Sequence, residues 1–173
     1  MFYFDDSLKK YETGFYWDKA LSYLENLFLN QPSCEKLNSL VGFSWYYLIE
    51  GPIDSGKYDK DENLIALDIW KKYLSLGFID YSNDPHFCFI AGYSILMHGF
   101  YIEEYKNNYE QVGVNLLNCA KVFNEPKLKE VVNIILEYQE QKKYKILKVK
   151  QETLNMLFSN DSLLENYFKK LYG

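Results

Sequence analysis

The chain of 173 residues carries 24 acidic residues against 19 lysines, for a formal net charge of −5, and it contains no arginine. Its hydrophobic content of 48% and aromatic content of 18% exclude a disordered chain. Arginine is the usual reader of phosphates and guanines, so its absence argues against nucleic-acid binding. The length predicts a single domain, residues 1–173, with a substantial core.

The cysteines and the first residues both bear on the compartment. Cys34, Cys88 and Cys119 are an odd number in unrelated contexts, which favours reduced thiols. The opening sequence MFYFDDSLKK has no basic region ahead of a hydrophobic one, unlike a secretory signal. We therefore expect a cytoplasmic protein without a membrane segment.

The first half of the chain reads as three amphipathic helices. Apolar residues recur at helical spacing over 17–28, and Ser33 is placed to cap a second helix. Gly51-Pro52 is expected to stop that helix, which leaves residues 53–60 as a polar loop. A third helix is predicted over 61–77.

The central helix is predicted from the stretch PHFCFIAGYSILMHGFYI, residues 85–102, which holds no Asp, Glu or Lys. Asp84 occupies the N-cap position and Pro85 the first helical position. Over 87–97 the apolar residues fall on every side of the helix rather than on one. We therefore expect this helix to be surrounded by the others.

Further helical patterns follow. The fifth helix is expected to bury one face, made of Tyr109, Val112, Gly113, Leu116, Cys119, Ala120 and Phe123. Pro126 opens a sixth helix, a lysine-rich stretch covers 139–150, and Asp161 is expected to cap the last helix. The fold class is therefore predicted to be all-α, with seven or eight helices and no sheet.

A faint internal sequence repeat suggests how these helices are arranged. Gly42-Phe43-Ser44 in the second helix matches Gly92-Tyr93-Ser94 in the central helix, and Ala20-Leu21 matches Ala66-Leu67. Both offsets are near fifty residues, so the first four helices read as two stacked antiparallel hairpins, tetratricopeptide-like or α-solenoid-like in shape. Such stacks usually bind protein on their concave face.

One stretch matches a phosphate-binding pattern in part. GPIDSGKY, residues 51–58, contains G-x-x-x-x-G-K, but Tyr58 replaces the Ser or Thr that would bind magnesium. Asp54 would place a negative charge in the loop that should bind the phosphates. In addition, a predicted helix precedes this loop, whereas a phosphate-binding loop follows a strand. A loop between helices is the favoured interpretation, with a nucleotide site as the alternative.

No other stretch of the sequence contains a motif that indicates a particular reaction. His86 and Cys88 are two residues apart, which on a helix turns them about 200° away from each other, so they do not converge with His98 on a metal. A nucleophile elbow of the G-x-S-x-G type is absent. We therefore expect no cofactor, no metal and no enzymatic activity.

The acidic residues are concentrated in one region. Residues 1–105 carry 16 acids against 8 lysines, while residues 106–173 carry 8 acids against 11 lysines. Carboxylates with interleaved tyrosines suit fast capture of a basic protein partner. The predicted partner-binding residues are Asp54, Tyr58, Asp59, Asp61, Glu62, Asp80, Tyr81 and Asp84. An ordinary solubilising surface is the alternative, and the lysines at 142, 143, 145, 148 and 150 read as an exposed helical face.

The segment GFSWYYLIEG, residues 42–51, within a small, acidic, tyrosine-rich helical chain, resembles immunity proteins of bacterial contact-dependent growth inhibition systems. The resemblance covers mainly residues 34–102. It implies a cytoplasmic, non-enzymatic inhibitor that binds and neutralises a toxin domain, often a nuclease. The alternative is a tetratricopeptide-like adaptor that binds peptide segments of a partner.

Overall fold

The computed structural model describes residues 1–56, 59–141 and 148–173, except for the side chains of residues 54, 55 and 141. Over these ranges the chain is helical and has no β-strand, which confirms the all-α prediction. The helices are α1 (Asp6–Thr13), α2 (Trp17–Asn30), α3 (Cys34–Ser55), α4 (Lys60–Asp80), α5 (Pro85–His98), α6 (Tyr109–Val122), α7 (Pro126–Gln141), α8 (Gln151–Leu157) and α9 (Leu163–Tyr172). A single 3₁₀ turn, Gly99–Tyr101, follows α5. The described residues thus form nine α-helices and not the seven or eight predicted, because the short helix α1 was not expected.

The chain divides into two compact units, Met1–Ser82 with α1 to α4 and Asn83–Gly173 with α5 to α9. The boundary falls between α4 and α5, the two helices expected to form the second hairpin. The stacking of two hairpins is therefore not confirmed, and a single domain stays a prediction.

In the first unit, α3 and α4 run antiparallel. Tyr47 of α3 donates a hydrogen bond to Glu62 in the first turn of α4. Burial, and to a lesser extent the proximity of Cys34 at the start of α3, raises the pKa of Tyr81 at the end of α4. The buried stripe of α4 returns every three or four residues and consists of Asn63, Ala66, Trp70, Tyr73, Leu74 and Gly77. This period is the one expected of a helix packed along one side.

The predicted end of the second helix at Gly51-Pro52 was wrong. Helix α3 continues through Pro52 to Ser55 and ends at Gly56, which adopts a left-handed conformation with φ of 65°. A proline in the last turn removes only one helical hydrogen bond, and a left-handed glycine is a common helix terminator. Asp54 consequently lies in the last turn of α3 and not in a loop.

In the second unit, α5 is buried on every side, as expected from its sequence. Every residue from Phe87 to Leu96 is buried, and Asp84 accepts hydrogen bonds from the backbone N–H groups of His86 and Phe87, both at 2.9 Å. Around Phe89 the aromatic rings of Phe158 and Phe168 pack at 6.3 and 5.5 Å. This aromatic cluster joins α5 to α9 and to the end of α8.

Helices α5 and α6 cross at two glycines. A Cβ on Gly92 would lie 3.1 Å from the Gly113 carbonyl oxygen, and a Cβ on Gly113 would lie 2.7 Å from the Leu96 backbone. This crossing turns α6 so that Gly113, Leu117 and Ala120 are its buried residues. The predicted face was therefore partly wrong, since Cys119 is exposed.

The last helix is capped one residue later than expected. Ser162, and not Asp161, is the N-cap of α9, and its hydroxyl accepts a hydrogen bond from the Glu165 backbone N–H at 3.1 Å. The Glu165 carboxylate reaches back to accept from the backbone N–H of Asn160 at 2.5 Å. Ser162 and Glu165 therefore form a capping arrangement that is completed by Asn160.

Candidate partner-binding surface

Three carboxylates of the first unit act on the Tyr47 hydroxyl, and one of them is in contact with it. The Tyr47 hydroxyl donates a hydrogen bond to the Glu62 carboxylate. Burial, together with this bond and the charges of Glu62, Asp59 and Asp18, raises the pKa of Tyr47 above its ordinary value. Asp18, Asp59 and Glu62 are called the Tyr47 acidic cluster below. They come from the N-terminal turns of α2 and α4 and the residue that caps α4.

The Tyr47 ring packs against Trp17 and Gly51. It stacks on the Trp17 indole with a centroid distance of 5.0 Å and an angle of 16°. Its other neighbour is Gly51, where a Cβ would lie 1.9 Å from the ring carbon Cδ2. The same glycine begins the G-x-x-x-x-G-K pattern, so in this chain it belongs to α3 and packs under an aromatic ring. Lys57 and Tyr58 of that pattern lie outside the described residues.

The carboxylates at the start of α4 have different roles. Asp59 caps the helix, because its Oδ1 accepts from the backbone N–H groups of Asp61 and Glu62 at 2.9 and 3.1 Å. Glu62 is half-buried and bonded to Tyr47. Asp61 is exposed, and its carboxylate makes no hydrogen bond or ion pair with another described residue. Of the three, Asp61 is the one whose charge is free for a partner.

Two apolar side chains lie on the same side of α4 as Asp61. Leu64 and Ile65 are 49% and 50% exposed, at positions i+3 and i+4 from Asp61. Asp68 is exposed one turn further along. Asp61, Leu64, Ile65 and Asp68 are called the α4 face below. The sequence analysis did not predict Leu64 and Ile65 as surface residues. Their exposure could have been inferred, because neither lies on the apolar stripe that runs through Ala66 and Trp70.

The α4 face ends at an ion pair. Lys72, the next residue along this side of the helix, lies with its Nζ 2.7 Å from Glu25 Oε1, and Tyr73 donates to the same oxygen at 2.8 Å. These contacts lower the pKa of Glu25, with Lys72 as the larger cause. The α4 face is thus confined to the first three turns of the helix.

Two of the other predicted partner-binding residues, Asp80 and Tyr81, do not join this face. Asp80 and Tyr81 stand at the far end of α4, and a helix of 21 residues is about 30 Å long. Asp84 belongs to the second unit, where it caps α5. The Asp54 side chain and Tyr58 lie outside the described part of the chain. Of the six predicted residues whose side chains are described, the structure brings together Asp59, Asp61 and Glu62 at the start of α4.

The described residues do not assemble a metal site. No group of three or more His, Cys, Asp or Glu side chains among them could hold a metal ion. His86 instead lies with Nε2 3.0 Å from Glu125 Oε2, and Cys88 is buried. No helix in the described ranges combines the length and the apolarity that a membrane span requires.

Comparisons with protein-family models, with curated proteins and with solved structures found no match to this chain.

Proposed function

We propose that this protein binds and neutralises a basic protein domain through the α4 face, in the manner of the immunity proteins that its sequence resembles. The proposal rests chiefly on one observation, the pairing of exposed Leu64 and Ile65 with the free carboxylate of Asp61 and the exposed Asp68. Apolar side chains supply the area that a partner buries, and the flanking charges select a partner of opposite sign.

The Tyr47 acidic cluster supports the same proposal from beside the face. Asp18 and Asp59 are exposed and lie near enough to act on the Tyr47 hydroxyl together with Glu62. Carboxylates gathered in this way raise the local concentration of a basic partner and speed its association. A nuclease toxin, which carries Lys and Arg to hold phosphates, is a partner of this kind.

The partner to test first is the C-terminal domain of the protein encoded directly upstream, because an immunity gene lies directly after its toxin gene. Growth protection on co-expression, and association and dissociation rates with the purified domain, are the measurements. We expect association to slow as salt rises, because exposed charges are screened beyond about 8 Å at physiological ionic strength.

The decisive variant is Asp61→Lys with Asp68→Lys, which reverses both charges of the α4 face and leaves the Asp59 cap intact. We expect slower association and weaker protection. Glu137→Lys with Glu140→Lys is the matched control, since both residues are exposed on α7. A second variant, Leu64→Ser with Ile65→Ser, should speed dissociation. Unchanged rates in both α4 variants would exclude this face as the interface.

The same assay separates the alternative adaptor function. An immunity protein needs the folded toxin domain, whereas an adaptor binds short linear peptides of its partner. Binding of unfolded fragments with the affinity of the intact domain would contradict the immunity proposal.

A further inference from the structure

The second unit contains a cavity of about 170 Å³ lined by residues of α5, α7 and α9. Its walls are apolar apart from one amide and two phenol groups. The lining residues are Leu96, Met97, Ile134, Ile135, Tyr138, Gln139, Leu171 and Tyr172. None of these residues belongs to the α4 face or to the Tyr47 acidic cluster, so the cavity is a separate candidate site.

The lining has a fixed part and an exposed part. Leu96, Ile135 and Tyr172 are buried, and Tyr172 packs edge-on against the buried Tyr93 ring at 6.2 Å. In contrast, Met97, Tyr138 and Leu171 are 37%, 45% and 41% exposed. These exposed apolar side chains share one concave surface. A guest bound there would remove apolar surface from water, which favours binding.

The polar groups of the lining restrict the guest further. The Tyr172 hydroxyl donates to the Tyr93 hydroxyl at 3.3 Å, so its proton is already used. The Tyr138 hydroxyl and the Gln139 amide make no hydrogen bond to any other residue in the described part of the chain. Both residues line the cavity, so a donor and an acceptor remain available to the polar group of a guest.

We propose that this cavity binds a small aromatic molecule, a single or fused ring that carries one hydroxyl or ring N–H group. Its volume is close to the ~150 Å³ of an apolar cavity known to take up benzene, and below the roughly 300 Å³ at which pockets for drug-sized ligands begin. An aromatic guest is favoured over an aliphatic one because Tyr138, Tyr172 and the Met97 sulfur each interact favourably with a ring.

The test uses the full chain with phenol and indole as probes and cyclohexanol as the aliphatic control. In nuclear magnetic resonance titrations we expect saturable shifts of the Met97, Ile134, Ile135 and Leu171 methyl groups. Phenol should bind roughly threefold to tenfold more tightly than cyclohexanol, the ratio that one ring-to-ring contact supplies. Nuclear Overhauser effects from the phenol ring to the Met97 methyl would place the probe directly in the wild-type protein.

A filling variant checks the location. Ile134→Trp should abolish the saturable shifts, whereas Val122→Trp, at an exposed position at the end of α6, should leave them unchanged. Shifts that do not saturate, that persist in folded Ile134→Trp, or that cyclohexanol reproduces with equal affinity would overturn the proposal. If Ile134→Trp does not fold, the absence of phenol contacts to Met97 in the wild type overturns it equally. These outcomes are independent of any protein partner of the α4 face.

Discussion

The Tyr47 hydroxyl of α3 donates to the Glu62 carboxylate of α4, while the Tyr47 ring packs against both Trp17 and Gly51. This single side chain therefore joins the end of α3 to the start of α4 and fixes one carboxylate of the acidic cluster. Its neighbour Asp61 remains free. The two adjacent acids thus differ in role, because one faces Tyr47 and the other faces solvent.

Tyr47→Phe should lower the free energy of unfolding by about 1 kcal/mol. A hydrogen bond to a charged group contributes up to roughly 3 kcal/mol when it is buried, but Glu62 is half-buried and water can replace the lost donor. Urea unfolding is the measurement. Tyr11→Phe is the control, since Tyr11 is half-buried and its hydroxyl makes no hydrogen bond to another described residue. Equal stability of the two variants would show that the Tyr47 bond contributes nothing.

Gly113→Ala should destabilise the second unit by about 3 kcal/mol. The added Cβ would lie 2.6 to 2.7 Å from the Cβ, Cα and N atoms of Leu96, and backbone atoms cannot move aside as a side chain can. Gly56→Ala is the comparison, because its Cβ meets nothing within 4 Å and only its φ of 65° opposes a side chain. The free energy of unfolding of Gly56→Ala should be lower by about 1 kcal/mol. If Gly113→Ala proves as stable as Gly56→Ala, or more stable, the close crossing of α5 and α6 is contradicted.

Stability should fall as the pH rises from about 5 to 7, and Glu165 should be the main cause. Burial raises the pKa of Glu165 from 4.5 to about 7. In this window the folded chain holds a proton that the unfolded chain has released, so the free energy of unfolding decreases with pH, by an amount on the order of 2 kcal/mol. The fall continues through the folded pKa near 7, and only well below pH 4.5 and well above pH 7 does this group add no slope.

Glu165→Gln should remove that slope, whatever its effect on the absolute stability. Urea unfolding at a series of pH values measures it. Asp5 and Glu25, whose pKa values are lowered, stay ionised across the window. Burial lowers the pKa of His98, which gives a slope of the opposite sign below pH 6.5, so wild type and Glu165→Gln are compared at every pH. A slope that is equally steep in the variant would assign the titration to another group.

Above pH 10 the protein should lose stability again. Burial raises the pKa of Tyr93 well above its ordinary value of 10.0, and burial acts in the same direction on Tyr172. The unfolded chain then releases phenol protons that the folded chain keeps, so the free energy of unfolding falls with rising pH. Tyr93→Phe should flatten this fall, with unfolding and tyrosinate absorbance followed together. Complete ionisation of every tyrosine above pH 10 while the chain is still folded would contradict the buried placement.

The sequence by itself was sufficient for those features that depend on neighbours along the chain. The Asp84 cap, the Pro85 start and the unbroken apolar run after them predicted α5 because helix signals and helical periodicity act within a few residues. The end of α3 was misplaced for the converse reason. Gly51-Pro52 is a strong local stop signal, but Gly51 is the position where the Tyr47 ring packs, and α3 continues past it.

Only the tertiary structure decided which surface residues lie together. Sequence neighbours in the acidic region were expected to form one surface, yet α4 separates Asp61 from Asp80 by about the length of the helix. Asp18, distant in sequence, instead acts on Tyr47 together with Glu62. The exposed position of Leu64 and Ile65 depends likewise on how α4 is rotated against α3. Such groupings arise because residues far apart in sequence meet only when helices pack, and periodicity along one helix does not specify its partner's position.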